Sequence, residues 1–214
     1  MNEKETGRIE AFSDGVFAVA ITLLVLNIKL PAQLVPALFD DQHLWRELSG
    51  QLPTLFAFLT SFATVGIMWI NHHRLFTHIK RVDTGLLLLN LLLLLLIVFV
   101  PYPTALLTEQ YALSPGQHAA AIVYSGTFVI LACCFNILWR YASYHNRLLG
   151  KDVDTRAVIA ISRQYLFGPL VYLAVFGVAW INTPATIILS FALALFFALP
   201  GRALRLEPFE PLEP

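Results

Sequence analysis

The chain has 214 residues, 57% hydrophobic and only 13% charged, and its 14 Lys and Arg balance its 14 Asp and Glu. A soluble domain carries about 25% charged residues, so this composition excludes a water-soluble fold: too little polar side chain exists to cover a wet surface. The neutral balance also gives no sign of a nucleic-acid partner.

A helix needs roughly 20 apolar residues to cross a hydrocarbon core of about 30 Å. Six segments approach that length, at 9–30, 52–71, 84–104, 119–139, 158–180 and 184–199, the last being the shortest. Runs such as 86–100 show no polar–apolar alternation, which argues against a transmembrane β-barrel. The expected fold is an all-α integral membrane protein with six transmembrane helices. No stretch is long and polar enough for a second domain, so 1–214 reads as one domain. No cleavable signal peptide is expected, because the first apolar run is full length and carries charges. Direct insertion into the cell (inner) membrane fits that pattern.

The first segment carries Arg8, Glu10 and Asp14 in or beside its opening turns. Ionisable groups at membrane depth are costly and face a bundle interior or a wet path. At about 100° per residue, Asp14, Ala18, Ile21, Val25 and Ile28 form one stripe. Phe12, Val19, Leu23, Leu26 and Leu30 form a roughly opposite one, with Gly15 and Thr22 on its flank. The Asp14 stripe is expected to pack within the subunit, leaving the other for a second copy of the helix or for lipid. Small residues at Gly15, Ala18, Ala20 and Thr22 permit close approach of helices.

The linker 31–51 holds Leu44, Trp45 and Leu48, which suit a short interfacial helix. The second segment ends in Trp69, Asn71, His72 and His73. With Asn90, a polar residue in the otherwise apolar third segment, these are the expected partners of Asp14. Adjacent histidines point about 100° apart on a helix, and no HExxH or Cys/His array accompanies them. A metal site is therefore not expected, and no cofactor is implied. Cys133 and Cys134 are adjacent and mid-segment, which suits two buried thiols, not a disulfide. Pro169 is the main interruption of the fifth segment.

Basic residues set the orientation. Lys4, Arg8, Arg74, Lys80, Arg81, Arg140, Arg147, Lys151, Arg156, Arg163, Arg202 and Arg205 fall on one side, twelve of the 14 Lys and Arg. Only Lys29 and Arg46 fall on the other. The positive-inside rule then places both termini in the cytoplasm, which requires an even number of spans. Trp45, Tyr102, Trp139, Tyr141, Tyr144 and Trp180 fall near expected helix ends, as an aromatic belt would.

The pattern Arg8-x-x-x-Phe12-Ser13-Asp14 at the head of a first membrane helix resembles the RxxxFSD signature of the transmembrane protein 175 family. These are endosomal and lysosomal potassium channels and their prokaryotic relatives, the latter with a single six-helix repeat of about this length. The resemblance implies a homotetramer whose pore is lined by the first helix, permeable to potassium and other monovalent cations and embedded in membrane lipid. It implies a narrowest point at Val19, five places after the motif Asp, with further apolar positions at Leu23 and Leu26. Thr22 stands where the family links a threonine to potassium preference. Arg8, Phe12, Ser13, Asp14, Trp69, Asn71, His72 and His73 are expected to brace the pore helix.

No Gly-rich re-entrant loop is present to build a carbonyl filter. Gating is therefore expected from a hydrophobic constriction, with modest potassium over sodium preference. Two other readings compete. A proton- or cation-coupled secondary transporter would use Asp14 with His72 or His73 as a relay, but usually shows paired helix breaks. An intramembrane enzyme would need a nucleophile–base or metal constellation, and none stands out.

Overall fold

The computed structural model describes residues 4–28, 41–111, 117–150 and 155–198. Leu30, Lys29, Lys151, Arg202 and Arg205 of the sequence reading lie outside the described residues. The helices in chain order are α1 (Lys4–Leu23, carried on by a 3-10 turn over Leu24–Asn27 that is counted with it below), α2 (Asp41–Gly50), α3 (Leu52–His78), α4 (Thr84–Phe99), α5 (Pro101–Tyr111), α6 (Gln117–Ser143), α7 (Thr155–Ala179) and α8 (Thr183–Ala198). Among the described residues there is no strand beyond one isolated bridge.

Five stretches are long and apolar enough to cross a membrane: Thr6–Asn27, Thr54–His78, Thr84–Glu109, Gln117–Asn146 and Val158–Ala179. The chain is thus a multi-pass membrane protein. α8 is apolar too, but its 16 residues rise only about 24 Å at ~1.5 Å per residue. α2 forms where the interfacial helix was expected, with Leu44, Trp45 and Leu48 exposed along it.

Two spans differ from their sequence outlines for backbone reasons. The third breaks at Val100, because Pro101 has no N–H to give and the Val100 amide turns to Ile97 O instead. The chain resumes as α5, and Asn27 Nδ2 donates to Pro101 O at 3.1 Å, clipping the end of α1 to the break. In α7, Pro169 removes the amide that Tyr165 O would accept. Asn136 Nδ2 of α6 supplies that bond at 2.7 Å. α7 therefore runs through its proline with the orphaned carbonyl satisfied from a neighbour, as a membrane interior requires.

The core lies among α3, α4, α5 and α6, around Phe76, Leu93, Tyr124, Phe128 and Trp139. Trp139 was expected in an aromatic belt. It is instead fully buried, and its Nε1 donates to Ser162 Oγ at 2.8 Å. Trp45, Tyr102, Tyr144 and Trp180 are exposed, as a belt requires. Buried hydroxyls pair with one another: Ser61 Oγ lies 2.9 Å from Thr104 Oγ1 and 3.2 Å from Tyr124 OH. Cys133 and Cys134 are free thiols, Cys134 buried.

The α3–α4 and α6–α7 connections are clasped together at one end of the bundle. An antiparallel bridge joins Ile79 to Leu149. The Lys80 and Arg81 amides both donate to Leu148 O, at 2.9 and 3.1 Å, and Gly150 N donates to His78 O at 3.2 Å. Asp83 caps α4 through its Oδ1, which accepts from Leu86 N at 2.8 Å. Its Oδ2 accepts from Tyr141 OH at 2.9 Å and pairs with Arg147. Gly85 lets this happen, since a Cβ there would overlap the Tyr141 ring.

Burial works to raise the Asp83 carboxyl. The Leu86 amide, the Tyr141 hydroxyl and Arg147 together outweigh it and hold the group below its usual range. A carboxyl lowered on folding contributes stability above its unfolded pKa, lost as pH falls through the folded value. Wild-type protein should therefore lose melting temperature on acidification below about pH 4. Asp83→Asn keeps a capping oxygen but removes the charge. It should melt lower at neutral pH and show a flatter acid limb. Equal acid limbs in the two proteins would remove the ion pair from the account.

Candidate pore helix and its brace

The buried face of α1 is Thr6, Ser13, Phe17, Ala20 and Leu24, spaced at three, four and seven residues. That face falls between the two stripes drawn from the sequence. The Asp14 stripe does not face the subunit interior: Asp14, Ala18 and Val25 are exposed, and Ile21 and Ile28 only half-buried. The spacing set the stripes relative to each other, but packing set the phase. Ser13 and Phe17 take the core-facing arc, because a neutral hydroxyl and a ring cost less to bury than a carboxylate.

Asp14 nevertheless finds a partner at the edge of that contact. Its Oδ1 accepts from Trp69 Nε1 of α3 at 2.8 Å. One residue earlier, Ser13 Oγ accepts from Asn90 Nδ2 of α4 at 3.0 Å. Asn90 Oδ1 in turn lies 2.9 Å from His72 Nε2 of α3. A carboxamide oxygen only accepts, so His72 carries its proton on Nε2. The His72 ring stacks on Phe76, centroids 4.6 Å apart, and is tilted 57° to Phe17 of α1. Ser13, His72 and Asn90 are all buried, and among the described residues no buried side-chain polar atom lacks a partner. α1 is thus tied to α3 at two heights and to α4 at one.

The other expected bracing residues do not join this network. Asn71 is tied to α7, where its backbone carbonyl accepts from Tyr165 OH at 3.3 Å. His73 and Arg8 are exposed. Phe12 is exposed beside a cleft of about 660 Å³ between α1 and α4, which Arg8, Leu87, Asn90 and Leu91 also line. Asn90 is central to the brace, although the sequence marked it only by its polarity. Of the aromatic seat of His72, Phe76 follows from i, i+4 spacing on α3, but Phe17 carried no sequence signal, because contact between helices follows no local spacing.

Among the described residues the outer face of α1 is left largely uncovered. Val19 is 54% exposed, Leu23 37% and Leu26 69%. Thr22 lies about 180° from Ser13 at ~100° per residue, pointing directly away from the core. Its Oγ1 donates to its own helix, at 3.0 Å to Ala18 O and 2.9 Å to Val19 O. The hydroxyl proton is thereby turned inward, and the oxygen lone pairs face out. Among the described residues no three His, Cys, Asp or Glu side chains gather to hold a metal ion.

Comparison with known proteins gives the family. Residues 8–101 match the family model described as "Endosomal/lysosomal potassium channel TMEM175". That match covers α1, α3 and α4, the three helices joined by the brace. A "Potassium channel" of Chamaesiphon minutus is 47% identical over 201 residues, covering 94% of this chain and 97% of that protein. The human "Endosomal/lysosomal proton channel TMEM175" is 35% identical over 147 residues, which cover 64% of this chain and 28% of the human protein. Among solved structures, a "lysosomal potassium-selective channel TMEM175 homolog" from Chamaesiphon minutus superposes with a TM-score of 0.81 at 45% identity, over 91% of this chain and 97% of that one. Identity at this level over nearly the full length of a relative makes this chain, whose motif residues Ser13 and Asp14 are bonded to α4 and α3, a member of the TMEM175 family.

Proposed function

We propose that the chain forms a potassium-permeable cation channel, with four copies of α1 around one pore. The observation that carries this reading is the face of α1 bearing Val19, Leu23 and Leu26. It is apolar and exposed, and it lies on a helix that polar side-chain bonds tie to α3 and α4. In a symmetric oligomer each exposed position becomes a ring. Rings of Val19, Leu23 and Leu26 make a water-poor constriction that gates by width and dewetting. Thr22 offers outward lone pairs of the kind a partly dehydrated cation needs, which supports a modest preference for potassium over sodium.

The same reading takes α8 as a sixth span, makes 1–214 one channel domain, and puts both termini in the cytoplasm of the inner membrane. The distribution of Lys and Arg supports that orientation. Single cysteines introduced at the clasp, between 79 and 83, should react with a membrane-impermeant thiol reagent only from the cytoplasmic side. Cysteines beyond Glu109 in the 105–118 connection should react from outside. The opposite pattern would invert the topology.

A second reading, proton conduction, is favoured by the buried Ser13–Asn90–His72 chain and by the name of the human relative. One experiment separates the possibilities. Purified protein in a planar bilayer is recorded under opposed potassium and sodium gradients, then under a pH gradient. Discrete steps reversing near the potassium potential are expected. Reversal that follows the pH gradient would favour proton conduction, and slow flux without steps would favour a transporter.

A further inference from the structure

We propose that the clasp between the α3–α4 and α6–α7 connections is a docking site for the headgroup of an anionic phospholipid. The bridge from Ile79 to Leu149 draws the two connections together. That places Lys80 and Arg81 of one beside Arg147 of the other, with Arg81 Nη1 donating to Arg147 O at 3.3 Å. Like charges are gathered here without a matching number of acids among the described residues. The acid within the clasp, Asp83, is already committed to Arg147, Tyr141 and the Leu86 amide. Lys80 is exposed and Arg81 half-exposed, and no described carboxylate pairs with either. Among the described residues of the clasp, Lys80, Arg81 and Arg147 against Asp83 leave an excess of two positive charges.

The helix ends do not offset that excess. The carbonyls at the ends of α3 and α6 that would carry negative partial charge are partly consumed. His78 O accepts from Gly150 N, and Ala142 O, in the last turn of α6, accepts from Leu148 N. Tyr144, beside the clasp, is exposed with its ring edge against His145. Exposed tyrosine at this height suits the boundary between headgroups and acyl chains.

The position gives the site a consequence. α3 and α4, which the clasp joins, carry Trp69, His72 and Asn90, the three residues that hold the pore helix. A headgroup phosphate bridging Lys80 and Arg81 would relieve their mutual repulsion and stiffen the frame around α1. Placement of the clasp at headgroup level depends on its lying at the end of the spans, not on conduction. The binding test below therefore stands or falls apart from the channel reading.

The protein is purified in an uncharged detergent, and its melting temperature is followed during titration with phosphatidylglycerol. Phosphatidylcholine is the neutral control, and inorganic phosphate is the free-anion control. Phosphatidylglycerol should raise the melting temperature saturably, and the two controls should not. A basic side chain near an anionic surface contributes about 1 kcal/mol, about fivefold in affinity. Lys80→Gln with Arg81→Gln should therefore weaken the apparent affinity about thirtyfold, while Lys80→Arg with Arg81→Lys should retain it. Both variants keep the backbone amides that form the clasp. Equal stabilisation by phosphatidylcholine, equal stabilisation by inorganic phosphate, or an unchanged response in the double Gln variant would each overturn the proposal.

Discussion

Replacing Asn90 by leucine should produce the largest loss of stability of any single side-chain change in the brace. Asn90 is 2% exposed and is the only described link between Ser13 of α1 and His72 of α3. Leucine fits an apolar span and is close in size, so the change is not one of volume. What it does is strand two buried partners at once. The His72 Nε2 proton loses its acceptor and Ser13 Oγ loses its donor. Each stranded group costs about 1–3 kcal/mol, against a total stability of roughly 5–15 kcal/mol for a folded protein.

A network in lipid cannot recruit bulk water as a substitute. Hydrogen bonds between membrane helices average only ~0.6 kcal/mol in measured cycles, so the expected loss comes from the orphans and not from the bonds themselves. That reasoning fixes an order among variants. Ser13→Ala strands one Asn90 donor and should cost less than Asn90→Leu. The paired change Asn90→Leu with His72→Phe removes one orphan and should recover part of the loss. Melting temperature and the yield of assembled protein after size exclusion measure all three. A variant Asn90→Leu that melts like wild type would show that the brace is incidental to the fold.

The second large effect concerns conduction. Val19→Asn or Leu23→Asn should raise cation conductance severalfold at unchanged expression. Val19 and Leu23 are four residues apart and Leu26 three further on, so over about two turns they share one face. Apolar rings exclude water from a narrow pore, and an ion entering must shed hydration without replacement. A carboxamide in one ring restores hydrogen-bonding partners and lets water fill the constriction. The competing account, that this face meets lipid, makes the opposite prediction. A polar side chain in lipid costs free energy, so stability would fall and conductance would stay the same. Thr22→Val keeps the shape but removes the outward oxygen. It should lower the potassium over sodium permeability ratio and leave conduction intact. Unchanged conductance in well-assembled Val19→Asn and Leu23→Asn channels would falsify the pore assignment.

Several features were legible in the residue order alone. Membrane residence followed from 13% charge and long apolar runs, because the cost of burying charge is a property of composition. Five of the six expected spans, and the short helix at Leu44, Trp45 and Leu48, followed from length and periodicity. The motif residues and their resemblance located the important helix before any packing was known. The break at Pro101 was fixed chemically by a missing N–H, although an apolar run that continued through it hid the break from a hydropathy reading.

The tertiary structure decided the phase of α1. Stripe geometry orders side chains around a helix but does not say which arc meets the neighbours. That arc is Ser13, Phe17, Ala20 and Leu24, because α3 and α4 present a carboxamide and an imidazole where a hydroxyl and a ring fit. It also decided which polar residues act together. Trp69 and His72 reach α1 while Asn71, between them, turns to α7. Trp139, assigned by its position near a helix end to the interface, became a core residue once Ser162 gave its indole N–H a partner. Local sequence sets what a residue needs. Only the packed neighbours, far away along the chain, determine whether and where that need is met.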